Sequence, residues 1–481
     1  MKAKMLLMLL SATQLIMGQK QISMKSIVNI DMGKETGIIR PLHGGNLGPV
    51  SDHRFVDFSD FFIETKVPIT RLHDVSFFNK YAVDITTIFR DFRDDPSNAD
   101  NYDFRQTDDY LATIIKTGAK IVYRLGETYE PRKNKYNVHP PPDNDKWAAI
   151  CSGIIRHYNE GWANGFHYDI KYWEIWNEPD ETRKEGWTGT DEQFFRFYEV
   201  AAKTIKKNFP ALKVGGPSLS SSLDEKTKGA ASFQGRFLDY CRNNSVPLDF
   251  LSWHYYAGEP WTISHTPTYV RAILDKYGFP NTESHLNEWN YVPGGTFKEE
   301  HIQGDPRTWW FEQQSSIKGG AFIVDVFMLL QDEPIDVSNL YTITNGGFGL
   351  YSDFGVPYKS LYAYKAFADL VNNTPVRIET QYNKADSLVI CSGTNKEKTE
   401  LAVLVSNFTD RQGKVEFNLA NNFLRGPVKY ELYAVDATHN LSKIKVTVLK
   451  GDKTFRITEN IAGPSVYLLK LFSAGNSLSG K

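Results

Sequence analysis

The sequence predicts an α/β protein: a (β/α)8 barrel followed by a C-terminal β-sandwich. Three observations lead there. Eight apolar, strand-like runs recur between residues 37 and 330, with helix-like stretches between several of them. Near residue 375 this gives way to short, often alternating runs with polar turns. The early HGGNLG stretch is not the G-x-G-x-x-G turn that a doubly wound open sheet would usually carry.

Taken in order, residues 1–18 begin with lysines at 2 and 4 and continue into an apolar run from Met5 to Leu10. This is the pattern of a secretory leader, too short for a membrane span, with cleavage expected near Gly18. The chain is therefore expected to be exported, periplasmic or secreted. QISMKSIVNID (21–31) reads as a strand that pairs with the C-terminal module. Residues 32–368 read as the barrel, and 369–473 together with 21–31 as the sandwich.

The eight barrel strands are expected in GIIRPLHGG (37–45), VPITRLHDV (67–75), AKIVYRLGE (119–127), KYWEIWNEP (171–179), LKVGGPS (212–218), LDFLSWHYY (248–256), ESHLNEWN (283–290) and GGAFIVDVFMLL (319–330). TDDYLATIIKTG, KWAAICSGIIRHYNEGWANG, DEQFFRFYEVAAKTIKKNF and TYVRAILDKYG have apolar residues three and four apart, the helical spacing. The loop 127–146 is long, charged and proline-rich, and loops of that length in compact domains are often functional.

Composition narrows the function. The 481 residues are 41% hydrophobic with a net charge of -2, and no basic block interrupts them. Nothing here favours nucleic acid or an anionic membrane surface. Cys151, Cys241 and Cys391 are far apart and read as small buried residues. No H-x-H or H-E-x-x-H metal spacing, G-x-S-x-G elbow or P-loop occurs, so neither metal nor cofactor is expected.

A barrel of this kind places its chemistry at the C-terminal ends of its strands. Strand four ends in Asn177 and Glu178, and strand seven in Asn287 and Glu288. Strand six offers His254 and Tyr256, strand two Arg71, His73 and Asp74, and strand one His43 and Asn46. Two glutamates facing each other across a barrel mouth are what a retaining glycosidase needs: one protonated to serve the leaving oxygen, one ionised to attack the anomeric carbon. Arg71 and Tyr256 can hold Glu288 ionised, while Glu178, among aromatics and opposite an anion, is expected to keep its proton. Pro179 is expected to hold Glu178 extended. Trp289 is a further candidate sugar contact, while Trp309 and Trp310 read as helix core.

TRLHDV, YWEIWNEPD, DFLSWHYY, HLNEWN and NGGFGLYSDFGVPYKSLYAYKAFADL (345–370) resemble the corresponding stretches of glycoside hydrolase family 39. The resemblance covers nearly the whole chain after the leader. It implies Glu178 as acid/base and Glu288 as nucleophile. Asn177, His254, Tyr256 and His73 would belong to the subsite of the cleaved sugar, with Arg71, Trp289 and Asn46 as further candidate contacts. Family activities include β-xylosidase and α-L-iduronidase, both exo-acting. The family often has a tryptophan late in strand eight as a floor for the sugar; with strand eight at 319–330, Phe327 or Met328 lies nearest that position. A uronate pocket would want cations, and Arg132, Lys133 and Lys135 lie in the 127–146 loop, although a charged loop is usually just solvated. The expected function is a retaining exo-β-glycosidase acting on a glycoside or oligosaccharide. Alternatives are an endo-acting glycanase of the same clan and a catalytically silent carbohydrate-binding barrel.

Overall fold

In a computed structural model of the chain, residues 23–51, 56–75, 77, 79–295 and 304–473 are described; the leader expected at 1–18 lies outside them. Eight parallel strands close into a barrel: Gly44–Asn46, Ile69–Leu72, Lys120–Leu125, Tyr172–Ile175, Lys213–Leu219, Phe250–Ala257, Glu283–Tyr291 and Val337–Leu340, called strands one to eight. The last pairs with the first through Asn339 beside Gly44 and Leu340 beside Gly45.

The four expected helices form as Arg105–Ile115, Asn144–Glu160, Asp191–Asn208 and Thr266–Lys276. The middle two begin where local chemistry favours it. Asp143 accepts from Lys146 N at the start of the second, whose end turns through Gly161 at φ 75°; Thr190 and Gln193 form a reciprocal capping box at the third. Cys151, Cys241 and Cys391 are free thiols in the core.

Strand eight lies elsewhere than the sequence predicts. GGAFIVDVFMLL belongs to a helix, Ile317–Leu329, started by Ser316, whose Oγ accepts from Lys318 N. The run is apolar on every side because the helix is covered on every side, by strand seven, by helix Lys359–Asn373 and by the C-terminal sheet. Strand eight itself is the short Val337–Leu340, whose sequence VSNL carries little hydrophobic signal. Phe327 and Met328 are thus buried in this helix and not at the barrel mouth; Phe327 meets Trp289 edge-on at 5.4 Å. Strand one is likewise shorter than expected, because residues 37–38 end the preceding strand, Ser23–Ile38.

That N-terminal strand joins eight C-terminal strands in one nine-stranded sheet. It lies parallel to Gln412–Ala420 and antiparallel to Val376–Tyr382, to which it is paired as far as Ile38 beside Val376. The sandwich arises by curling of this single sheet. Its two edge strands, Asn440–Leu449 and Phe455–Ala462, approach until Lys445 Nζ reaches Glu459 at 2.6 Å. Val28, Leu401, Val403, Phe417, Tyr430 and Leu469 pack inside the curl.

Inside the barrel, Ile69, Val122 and Val337 form an apolar floor with Tyr172 against it. Alternation along each strand then lifts Arg71, Arg124 and Glu174 into a buried polar layer just above. The candidate site stands on that layer.

Candidate active site

Arg71 is the centre of the polar layer. It is fully buried and uses every N–H it has. Nε donates to Glu174 Oε2 at 2.6 Å. Nη1 donates to Glu288 Oε1 at 2.8 Å and Asn46 Oδ1 at 3.4 Å. Nη2 donates to Asn177 Oδ1 at 2.7 Å and Ser218 Oγ at 2.9 Å. A guanidinium suits this task, because its planar fork can serve several walls of the barrel at once. By claiming Asn177 Oδ1 it also sets that amide's orientation, with Nδ2 on the other side.

Glu288 is held from two directions: Arg71 on Oε1, and Tyr256 OH, which donates to Oε2 at 2.9 Å. Tyr256 and His254 do lie on one strand face, as their spacing predicts. His254 Nδ1 is 2.7 Å from Glu178 Oε1 and 3.5 Å from Glu288 Oε2. Glu178, His254 and Glu288 each present an atom within 4.8 Å of the others. A metal ion in that triangle would have to compete with Arg71, whose positive charge already sits against Glu288.

The two consecutive residues Asn287 and Glu288 both point inward, which regular alternation forbids. Strand seven is irregular here: Leu286 pairs with Trp253 but Glu288 with His254, so one residue is extra on this side. Asn287 Nδ2 donates to Glu174 Oε1 at 2.6 Å and to Ser218 Oγ at 2.9 Å. Trp289 then faces outward. It is fully buried, donates from Nε1 to Ser338 Oγ and packs on Phe327, so the structure puts it behind the barrel wall and away from the mouth.

Glu178 is not extended. It has φ 48°, the left-handed region, as do residues at this and other strand ends: Trp176 at 74°, Asp74 at 49° and Ser218 at 61°. Such conformations cost about 1–3 kcal/mol each and cluster at working sites. At Glu178 the turn is held by a hydrogen bond from its N to Ser218 O at 2.9 Å. Gly186 packs so tightly behind that a Cβ would lie 2.5 Å from Glu178 O and 2.9 Å from Asn177 O. Asp180 accepts from Ser220 N and Ser221 N, tying the exit of strand four to that of strand five.

Burial dominates the electrostatics. It pushes the Glu178 carboxyl up to about 7, with Glu181 adding to the rise and Arg71 opposing it. Burial also pushes Glu288 upward, against His254, Arg71 and the Tyr256 hydroxyl, which all favour its ionised form. The same desolvation lowers His254 to about 4, so the imidazole is neutral at pH 7. A cation and a hydroxyl are bonded directly to Glu288 and neither to Glu178, so these contacts favour the ionised form of Glu288 over that of Glu178.

Other expected residues take different places. His73 is buried, with Nε2 3.5 Å from Asp74 Oδ2, and it is kept neutral by desolvation and by nearby Arg71. Asn46 supports the site from below, donating to Asn287 O at 2.8 Å. His43 bonds Thr65 O and packs on Tyr364 and Phe367, away from the site. Trp310 is buried as expected, whereas Trp309 is half exposed. The 127–146 loop borders the site: Glu130 N bonds Glu185 O, Thr188 N bonds Val138 O, and Arg183 Nη2 donates to Tyr129 OH at 2.9 Å. Arg132 and Lys133 are exposed on it, and Lys135 is tied to carbonyls of the same loop.

Three residues at the site escaped sequence reasoning. Glu174 lies inward of its strand's tip, where the two-residue period from Tyr172 would have pointed to it. Ser218 closes strand five, whose GGPS end carries no titratable side chain to draw attention. Tyr341 follows the true strand eight. Its hydroxyl is driven well up by burial, with Asp74 and Glu288 adding to the rise.

Residues 71–277 match the family described as glycosyl hydrolases family 39. A β-xylosidase of Caldicellulosiruptor saccharolyticus is 26% identical over 331 residues, which is 62% of this chain and 58% of that protein; the chain thus aligns with little more than half the length of this curated relative. Among solved structures, a glucosidase from Croceicoccus marinus aligns with a TM-score of 0.78 at 23% identity, over 94% of this chain and all of that one. A monomeric β-xylosidase from Caulobacter crescentus aligns with a TM-score of 0.71 at 15% identity, over 93% of this chain and 99% of that one. These last two establish the shared fold.

Proposed function

We propose that this chain, whose residues 71–277 match glycosyl hydrolases family 39, is a member of that family and a retaining exo-β-glycosidase with Glu288 as nucleophile and Glu178 as acid/base. The observation that carries the reading is the pair itself. Carboxylate oxygens of Glu178 and Glu288 lie within 4.8 Å, in environments that favour the proton on Glu178. Retaining enzymes need their carboxyls about 5–5.5 Å apart, and inverting ones about 6.5–9.5 Å to admit a water.

In the first step a Glu288 oxygen bonds to the anomeric carbon as the glycosidic C–O bond breaks. The proton of Glu178 passes to the departing oxygen. In the second step water attacks the same carbon, Glu178 takes the water's proton, and the ester to Glu288 is released. Arg71 and Tyr256 keep Glu288 ionised before attack. Asn177, its Oδ1 occupied by Arg71, has Nδ2 to offer to a sugar hydroxyl beside the reacting carbon. His73 and Tyr341 would border the same sugar, with Tyr341 as the aromatic surface that the 319–330 run does not supply.

The names of the relatives support a β-xyloside as the first substrate to try. Exo action is favoured by the 127–146 loop, which is fastened to residues 185–188 beside the mouth. We further infer that residues 1–18 are a leader for export and that the curled sheet is an accessory module of the barrel. The test is a panel of aryl glycosides with the wild type, Glu178→Ala and Glu288→Ala. Glu288→Ala should lose turnover on every substrate the wild type cleaves. Glu178→Ala should retain most on the most acidic leaving groups. Full activity in Glu288→Ala would overturn the assignment, and turnover of internal linkages only would make the enzyme endo-acting.

A further inference from the structure

Ser218 has more neighbours than one hydroxyl can satisfy at random. Its Oγ lies 2.9 Å from Arg71 Nη2, 2.9 Å from Asn287 Nδ2, 2.9 Å from Asn177 Oδ1 and 2.6 Å from His254 Nε2. A serine hydroxyl has one hydrogen and two lone pairs. Arg71 can only donate. Asn287 presents its nitrogen here, because that same Nδ2 also serves Glu174 Oε1 at 2.6 Å. Those two donors fill both lone pairs. The hydroxyl hydrogen must then go to Asn177 Oδ1 or to His254 Nε2. Asn177 Oδ1 is already served by Arg71 at 2.7 Å. If the hydrogen went there, His254 Nε2 would face, at 2.6 Å, an oxygen with nothing left to accept and nothing to give.

We propose that Ser218 is a positioning residue that locks the tautomer of His254: Ser218 Oγ–H donates to Nε2, so the imidazole carries its one proton on Nδ1. The inference rests on the retaining reading of Glu178 and Glu288 for its catalytic meaning, though the tautomer itself does not. The consequence falls on Glu178. His254 Nδ1–H donates to Glu178 Oε1 at 2.7 Å. That oxygen is then an acceptor in both protonation states, so the proton that Glu178 gives to the leaving group is carried on Oε2. The imidazole stays out of the proton transfer, since it is neutral at working pH and its only basic nitrogen is capped by Ser218. Ser218 also fixes the acid through its backbone: its carbonyl accepts from Glu178 N at 2.9 Å, and its own N donates to Ser252 Oγ at 2.9 Å. The left-handed φ of 61° at Ser218 serves both contacts at once.

The test reads the histidine directly. In a 15N-edited NMR spectrum of the intact enzyme, with His254 assigned by the signals lost in His254→Gln, Nδ1 should be the protonated nitrogen and Nε2 the bare one. Protonation of Nε2 at neutral pH would overturn the proposal, and this needs no serine variant to fold. In Ser218→Ala, kcat/KM should fall about tenfold further for a poorly activated leaving group than for a dinitrophenyl one, part of the ~10²–10⁴-fold that a positioned acid contributes. An equal fall for both leaving groups would reduce Ser218 to a structural residue and contradict the proposal. Failure of the catalytic reading is seen separately, as turnover surviving in Glu288→Ala.

Discussion

Arg71 and Glu288 meet across the barrel, from strands two and seven, at 2.8 Å with the arginine fully buried and the glutamate nearly so. The pair is one corner of a network in which the same guanidinium also holds Glu174, Asn177 and Ser218. Lysine could keep the charge but not the five-way fork. Arg71→Lys should therefore lose most activity and also stability, because breaking a buried pair costs about 3–5 kcal/mol. Arg71 opposes the rise of the Glu288 carboxyl by its charge, so in Arg71→Gln, which removes that charge, any residual activity should have its acidic limb moved to higher pH. Thermal unfolding and a pH–kcat/KM profile measure both.

The wild-type profile follows from the two carboxyls. The proposed mechanism requires Glu288 ionised and Glu178 protonated, so kcat/KM should be bell-shaped. The basic limb should lie at about 7, where Glu178 gives up its proton. Glu178→Gln, assayed on an activated leaving group, should show no such limb. A basic limb that persists unchanged in the variant would mean that another group supplies the proton.

Gly186 tests how finely Glu178 is placed. A methyl there would press on the carbonyl oxygens of Glu178 and Asn177, backbone atoms that cannot swing aside. Gly186→Ala should lower kcat by about 10²-fold, the scale on which a shift of about 1 Å acts, while the protein still folds. Circular dichroism beside steady-state kinetics separates the two effects.

Asp325 lies outside the mechanism. It sits fully buried on helix Ile317–Leu329, and neither carboxyl oxygen meets a hydrogen-bond donor in good geometry among the described residues. Burial drives its carboxyl well above the usual range, with the nearby Ser406 hydroxyl opposing only weakly. The folded chain therefore holds a proton that the unfolded chain releases from about pH 4 upward. The sign follows: stability is lost as pH rises above about 4, by up to about 1.4 kcal/mol per pH unit until the folded carboxyl itself ionises. Asp325→Asn removes that dependence. Its melting temperature relative to the wild type should be higher at pH 8 than at pH 4.

Much of this arrangement was legible in the chain. Strand one keeps only the last two residues of its expected run, whereas strands two to seven and the tips that carry Glu178, His254, Tyr256 and Glu288 follow from apolar runs and two-residue spacing. Strand eight did not, because four residues of VSNL have almost no hydrophobic signature while a helix buried on all sides mimics a strand. Trp289 was misplaced although alternation from an inward Glu288 already turns it out; what no periodicity announces is the bulge that brings Asn287 inward beside Glu288. The left-handed turn at Glu178 was hidden too, since the proline after it favours extended backbone, while the turn is held by Ser218, distant in sequence, and backed by the close approach of Gly186.

The central claim is that Glu288 forms a covalent bond with the sugar. A 2-deoxy-2-fluoro glycoside with a good leaving group, chosen from a sugar the enzyme cleaves, should accumulate that intermediate. Peptide mapping by mass spectrometry then locates it. The added sugar mass is expected on the peptide containing Glu288, with fragmentation placing it on that residue. A label on any other carboxylate, or turnover with inverted product and no label at all, would contradict it.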